Sequence, residues 1–450
     1  MRNNHSRAGR TAARSLALAV SVAGTCVFGG VLPQVTDVMM KQASQTRVEV
    51  SYALSDEAIV TLRVLTNGAP VEASALWGAT GDVNRKVAAG AGRRIVWTID
   101  ELWPADVVTN VQAEVTAWRT DAPPLYCAVD LSSGSTSSSY PVSYYASEGD
   151  VPGGVTNDVW KLARMLFRRI DPTDGGGVQL GSQKGMIGYF GVSEAGVRAW
   201  ITRPFYLAVY ETTQRQWLNV MGGTNPSRDQ ADVDGRSGAL RPVEQISYNS
   251  VRGGTPDTAP ASSSFVDRMR TRTACATMDL PTEAQWEYGC RAGGTEQFPY
   301  RIPFTGTDER GDFIIYDYFN HNNELNLAIA QIGNSNASGA KHTLPVGSYP
   351  PNAFGLYDTV GNVWEWVLDR YVADRTALEP SAWIDSAGPT AAQADTTMVI
   401  KGGSHSEGLN QWKDNRFVNA QNKTASFARY PLAASGSAFN LGFRMAIGLE

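Results

Sequence analysis

Apolar residues recur at every second position early in the chain. Val48, Val50, Tyr52 and Leu54 lie on one side of a run, and Val60, Leu62 and Val64 follow beyond a short turn. Period two with one apolar side is the pattern of half-buried antiparallel strands. "TNGAP" places an Asn67-Gly68 turn after the second run. "RIVWTID" and "NVQAEVTAW" add strands, the latter with Val111, Ala113, Val115 and Ala117 on one side. Residues 33–120 therefore read as a small all-β sandwich of immunoglobulin or fibronectin type, a spacer or adhesive module with no catalytic pattern in it.

The pattern breaks at "APP" and at the serine-rich run Ser132 to Ser139. Residues 121–157 show neither charge runs nor apolar periodicity and read as a linker. From about Asp158 to the C-terminus, short elements alternate with Gly, Pro and Asn. There "KLARMLFRRI" fits either a strand or a short helix. Two helices carry start and stop signals. In "LPTEAQWEYGCRAGG", Thr282 and Gln285 make a capping box after Pro281, Gly293-Gly294 stop the helix, and Glu287 and Arg291 form an i,i+4 pair on one surface. In "ETTQRQWLNVMGG", Thr212 or Thr213 caps, Trp217, Val220 and Met221 share a face, and Gly222-Gly223 end the helix. Both helices are expected to dock an apolar face on one core.

The N-terminus has its own pattern. Arg2, Arg7, Arg10 and Arg14 precede an uncharged run from Leu16 to Leu32, with no acid before Asp37. Residues 1–32 read as a secretory signal peptide, with an uncleaved N-terminal anchor as the alternative because the run approaches the length of a membrane span. The expected location is secreted, cell-surface or periplasmic. Losing those four arginines takes the net charge from −5 to about −9, a poor match for nucleic acid. Of the four cysteines, Cys127, Cys275 and Cys290 remain beyond the signal, an odd number without a CxxC pair, so a disulfide scaffold or zinc site is not expected.

The motifs "FYLAVYETTQRQW", "NPS", "RPVEQISY", "DLPTEAQWEYGCRAGG", "PPNAFGLYDTVGNVWEW", "KGGS" and "LGFRMA" occur in that order. This arrangement resembles the formylglycine-generating enzyme family, also called sulfatase-modifying factor, over roughly residues 160–450. The resemblance implies an α+β fold for residues 158–450, a C-type lectin-like domain with little regular secondary structure and an aromatic-rich core. Trp217, Trp286, Trp364 and Trp366 are expected in that core. It also implies a structural calcium site built from the side chains of Asp358 and Glu365 and the carbonyls of Gly361 and Val363, in keeping with the oxygen ligands calcium takes. The alternative is that Asp358 caps a turn and Glu365 pairs with an arginine. A second calcium site of the family is not carried over, because "YDYFNHNNELNLAIAQIGNSNASGAKH" shows no clear ligand pattern.

The family's copper-dependent members oxidise a substrate cysteine, using two cysteines after the "GGS" motif. Here the matching positions in "KGGSHSEGLNQWKDNRF" hold Glu407 and Trp412, and no cysteine follows Cys290. A Glu and a Trp cannot replace two thiolates on Cu(I), so copper is not expected. Cys290 matches a family disulfide cysteine whose partner position is not a cysteine. It either pairs with Cys275 or stays a buried thiol. Non-haem iron, used by other branches, would need two histidines and a carboxylate, and His321, His342 and His405 show no ligand spacing.

Ser404, His405, Glu407, Trp412 and Arg416 would line the family's substrate groove. His405 reads as a surface histidine in a variable loop, with an acid–base or metal role beside Glu407 as the alternative. An aromatic with polar groups suits a peptide, protein or glycan ligand. The sequence thus points to an exported, non-catalytic recognition or assembly module stabilised by calcium. The competing readings are an oxidoreductase of the same family with a non-standard site, and a structural surface or filament subunit.

Overall fold

The computed structural model describes residues 32–44, 46–98, 111–181, 196–232, 237–294, 342–385, 396–405, 426 and 428–449, together with the backbone of 412–413 and 416–417. The chain divides into two units. One comprises residues 1–125 and 144–155, the other residues 126–143 and 156–450.

The first unit is all-β. One antiparallel sheet runs in the order Val35–Ser44, Arg47–Leu54, Gly90–Thr98 and Thr80–Gly81. A second pairs Ala58–Thr66 with Ala69–Pro70, Arg85–Val87 and Val111–Trp118. The period-two pattern decides which residues turn inward: Val48, Val50, Tyr52 and Leu54 from one sheet meet Val60, Val64, Ala113 and Val115 from the other in one core. The Asn67-Gly68 turn has both residues at positive φ, 52° and 80°, as a tight hairpin requires. Arg63 and Asp150 hold the returning segment 144–155 to this unit, Nη2 to Oδ2 at 2.9 Å.

The second unit begins inside the stretch expected to be a linker. Tyr126–Asp130 is a buried strand, and with Arg164–Ile170, Phe205–Ala208, Ala446–Gly448 and Met278–Asp279 it forms a continuous run of a mixed-origin sheet in that order. Its side chains are buried on both faces, so no alternation betrays it. The serine-rich run that follows is tied down by Arg272, whose Nη2 donates to the Ser135 carbonyl while its Nη1 donates to Tyr140 Oη. "KLARMLFRRI" turns out to be both alternatives at once, a helical turn Val159–Leu162 followed by the strand Arg164–Ile170.

Both helices form where their caps place them. Thr213 caps Gln214–Met221 and Thr282 caps Glu283–Cys290, each with a complete capping box closed by Gln216 or Gln285. The second helix departs from the amphipathic expectation. Glu283 and Glu287 are as buried as Trp286, and the Glu287–Arg291 pair lies in the interior instead of on a surface. The acids are tolerated there because Arg429 grips Glu283 through two bonds of 2.8 and 3.0 Å, and Lys401 and Arg291 hold Glu287 at 3.1 and 2.7 Å.

A four-stranded sheet positions the candidate loop. Its order is Arg429–Ala433, Thr397–Lys401, Trp364–Arg370 and Leu441–Phe443, the last pair parallel. All four tryptophans assigned to the core are buried. Trp366 packs edge-on to Tyr248, and Trp217 stacks on Phe265, which meets Phe443 edge-on. Among the described residues no helix is long and apolar enough to cross a membrane. The segment read as a signal, Leu16 to Leu32, lies outside them except for its last residue.

Candidate functional site

The loop Asp358–Glu365 and the turn Gly402–His405 are built as one piece. The Gly361 N–H donates to the Gly402 carbonyl at 2.9 Å, and the Asn362 carbonyl accepts both the His405 N–H at 2.9 Å and His405 Nδ1 at 2.7 Å. Asn362 makes this junction by standing at φ 54°, a left-handed conformation that Asn tolerates better than most residues. Its side chain faces the other way, donating to Glu211 Oε2 at 2.6 Å and accepting from Leu344 N–H at 3.1 Å. Gly402, at φ 95°, sits where a Cβ would come within 3.1 Å of the Trp286 ring, so the turn packs directly on the buried helix.

Behind the loop lies a buried cluster of charge. Glu365 receives Arg444 through two bonds, Nη2 to Oε1 at 2.6 Å and Nε to Oε2 at 2.7 Å, and Trp286 Nε1 adds a third at 2.7 Å. Glu211 accepts from the Val363 N–H and from Asn362, and Asp358 Oδ2 accepts from the Gly347 N–H at 2.6 Å. Three buried carboxylates thus surround one guanidinium. Burial, reinforced by Asp358 and Glu365, pushes Glu211 well above the usual carboxylate range. Burial likewise lifts Asp358 to about 6, against the pull of the Gly347 N–H and of Arg444 and Lys161.

Whether calcium suits this loop can be judged from that donor set. Glu365 has made the arginine pair that was the alternative to calcium: Oε2 accepts from both Arg444 Nε and Trp286 Nε1, and Oε1, with one bond from Arg444, retains a lone pair. With Glu211 held toward its neutral form, Asp358 and Glu365 are the acids a divalent cation would meet, in competition with Arg444 and Lys161. Oxygen donors of the kind calcium takes are therefore present in Asp358 and in Oε1 of Glu365. Among the described residues no three His, Cys, Asp or Glu side chains converge as a metal cage. The arrangement inferred here draws half of its protein donors from main-chain carbonyls.

Of the five groove candidates, the two with described side chains are buried. Ser404 is fully buried, its Oγ accepting from Asn440 Nδ2 at 2.9 Å. His405, expected at the surface, is fully buried. The reason is the junction just described: both its main chain and its ring are pinned to Asn362, and its ring meets Phe439 edge-on at 5.9 Å. Because Nδ1 donates to a carbonyl, Nε2 carries the lone pair, and among the described residues no group reaches it. Burial pushes this imidazole down to about 4, which keeps it neutral at ordinary pH. Arg228 lies over the Phe439 ring at 4.0 Å and grips Asp229. Glu407 lies outside the described residues. Trp412 and Arg416 are described by backbone alone, in a two-stranded ladder that pairs Trp412 with Phe417 and Lys413 with Arg416.

Sequence reasoning missed Glu211, Asn362, Asn440 and Arg444 as partners of this site. Glu211 and Arg444 stand within the quoted motifs "YETT" and "LGFRMA", which were the available signal. The cysteines are all free among the described residues. Cys290 is the buried-thiol alternative, its Sγ donating to the Thr359 carbonyl at 3.5 Å, with the thiol pushed up to about 12 by burial. A cavity of about 370 Å³ in this unit is lined by Trp200, Arg203, Thr282, Gln285 and Asp385 among others, and neither Ser404 nor His405 borders it.

Comparison with known proteins adds a second line of evidence. The sulfatase-modifying factor enzyme 1-like domain matches residues 172–449. The chain is 31% identical over 197 residues to the formylglycine-generating enzyme of Mycobacterium tuberculosis, covering 42% of this chain and 55% of that protein. It is 34% identical over 119 residues to the inactive C-alpha-formylglycine-generating enzyme 2 of Bos taurus, covering 25% and 34%. It is 27% identical over 183 residues to the chaperone protein LppX of Paenibacillus barcinonensis, covering 36% and 61%. The chain spans less than two thirds of the length of each of these relatives. Among solved structures, PvdO from Pseudomonas aeruginosa is similar with a TM-score of 0.45 at 22% identity, covering 63% of this chain and 94% of that one. Treponema denticola variable protein 1 gives 0.43 at 21%, covering 63% and 95%.

Proposed function

The chain belongs to the sulfatase-modifying factor enzyme 1-like family, and from that premise we propose that its second unit is a non-catalytic recognition or assembly module. The carrying observation is the turn after Gly402-Gly403-Ser404. Where the copper-dependent relatives place two cysteines, this chain has Glu407 and Trp412, and no cysteine follows Cys290. Copper(I) bound beside a substrate thiol needs soft sulfur ligands, which a carboxylate and an indole do not supply. A relative at 34% identity carries the name inactive C-alpha-formylglycine-generating enzyme 2, which supports this reading.

In this reading, calcium holds the Asp358–Glu365 loop through the side chains of Asp358 and Glu365 and the carbonyls of Gly361 and Val363. The ion supplies positive charge beside Asp358 and Glu365, and the loop in turn fixes the Gly402–His405 turn through Gly361 and Asn362. The protein's ligand is a peptide, protein or glycan engaged by the residues following that turn. The first unit is an immunoglobulin- or fibronectin-type spacer, and the basic and apolar pattern of residues 1–32 supports a role at the cell exterior.

The competing reading keeps an oxidoreductase with a non-standard site. It is favoured by the identity to formylglycine-generating enzymes and by the unpartnered Nε2 of His405, a nitrogen with its lone pair available to a metal. Elemental analysis of the purified protein, combined with turnover assays on a thiol peptide, separates the two. Calcium near one per chain, without stoichiometric copper or iron and without turnover, supports the binding module. Stoichiometric redox metal with oxidation of the thiol overturns it.

A further inference from the structure

Arg375 is the least satisfied charged residue described in the second unit. Its side chain is fully buried, and among the described residues none of Nε, Nη1 and Nη2 meets an acceptor. The nearest carboxylate oxygen, Glu283 Oε1, is 3.8 Å from Nη1 and already accepts from Arg429 Nε at 2.8 Å. One face of the guanidinium lies over the Trp383 ring at 5.0 Å, which leaves the N–H groups directed outward in the plane of the fork. Trp383 Nε1 is a further buried donor without an acceptor.

The surroundings add charge to this shortage of acceptors. Arg291, Arg375, Lys401 and Arg429 gather around Glu283, Glu287 and Asp369. Burial opposes ionisation of Glu283 and Glu287, but the neighbouring cations overcome it and hold both at about 2, so both are ionised. Asp369 is pushed up to about 8 by burial and by Glu283. Among the described residues the cluster is therefore in positive excess whichever state Asp369 takes. Water could satisfy the N–H groups but would leave the excess charge, whereas an anion answers both.

We propose that Arg375 binds a small inorganic anion of chloride size, enclosed between Trp383 and the charged face of the Glu283–Cys290 helix. Such an anion completes the hydrogen bonding of the guanidinium and cross-braces the turn Arg375–Ala377 against the helix. It makes the stability of this unit depend on the kind of salt present as well as on ionic strength.

The test uses the full chain in sodium methanesulfonate, with sodium bromide substituted at constant ionic strength. A saturable rise in melting temperature is expected, on the order of 2–4 °C, and it should vanish in Arg375→Met. An equal or non-saturating rise in both proteins would be a general salt effect and would overturn the proposal. Should Arg375→Met fail to fold, the wild-type protein crystallised from bromide gives an independent answer. An anomalous peak within hydrogen-bonding reach of Arg375 supports the site. Ordered water or a carboxylate of the chain itself on those N–H groups, with no such peak, refutes it.

Discussion

Arg444 and Glu365 meet along two parallel bonds of 2.6 and 2.7 Å, both side chains buried, and Trp286 donates to the same carboxylate from the capped helix. The pair joins three parts of the second unit: the Trp364–Arg370 strand, the C-terminal motif and the Glu283–Cys290 helix. Arg444→Met leaves a buried carboxylate with its indole donor alone, and a loss of about 3–5 kcal/mol in urea unfolding is expected. Replacing Glu365 by Leu in the same protein should recover part of that loss. A single-variant loss under about 1 kcal/mol would mean that the cluster is hydrated and the pair weak.

Calcium at the neighbouring loop makes a second expectation. Chelation should lower the melting temperature of the wild-type protein, and Asp358→Ala should abolish the response. At free calcium a hundred times its Kd the ion would add about 2.7 kcal/mol. Asp358 is raised to about 6, so the folded state holds its proton more tightly than the unfolded state does. Its own contribution to stability is therefore present at low pH and lost as pH rises through about 6, while calcium must displace that proton. The chelator-sensitive shift should shrink below pH 6. An unchanged melting curve with chelator at pH 7.5 would leave the loop to its hydrogen bonds.

His405 should stay neutral to unusually low pH. Its folded value is lowered to about 4, from an ordinary 6.5, by burial. Its contribution to stability is thus complete above about 6.5 and is lost as pH falls toward 4. NMR titration of the imidazole carbon protons, assigned with His405→Asn, should show one histidine with a midpoint near 4. A midpoint near 6.5 for that resonance would place the ring in solvent and contradict the Asn362 junction.

The caps can be tested without touching the interior. Thr282 Oγ1 accepts from the Gln285 N–H at 3.1 Å. Thr282→Ala should cost about 1 kcal/mol and Thr282→Ser much less. Equal losses in both variants would point to packing of the threonine methyl instead.

Gly442 is a steric requirement of the close approach between its strand and the Val243 main chain. A Cβ there would stand 2.5 Å from the Val243 carbonyl oxygen and 2.9 Å from the Val363 side chain. Gly442→Ala is expected to cost at least about 1–3 kcal/mol, measured by denaturant unfolding, because a backbone carbonyl cannot rotate aside. A neutral result would show that the Val243 segment can shift away at low cost.

What the sequence determined by itself is local. Thr213, Gln216, Thr282 and Gln285 stop the backbone at helix starts through bonds three residues long, and Asn67-Gly68 turns a hairpin by its own φ angles. Alternation over Val48–Leu54 and Val111–Ala117 chose an inward face because a strand has a period of two. The family motifs likewise marked the Asp358–Glu365 loop and the turn at Ser404. Only the tertiary structure decided which distant group each buried charge would meet. It gave Glu283 to Arg429 across 146 residues, Glu287 to Lys401 and Glu365 to Arg444. The same rule explains Tyr126–Asp130, whose side chains are covered on both faces and so show no period, and His405, whose burial depends on a carbonyl 43 residues earlier. Desolvation makes these choices: a charge or imidazole inside the protein is stable only where another part of the chain brings its partner, and that pairing has no short-range signature.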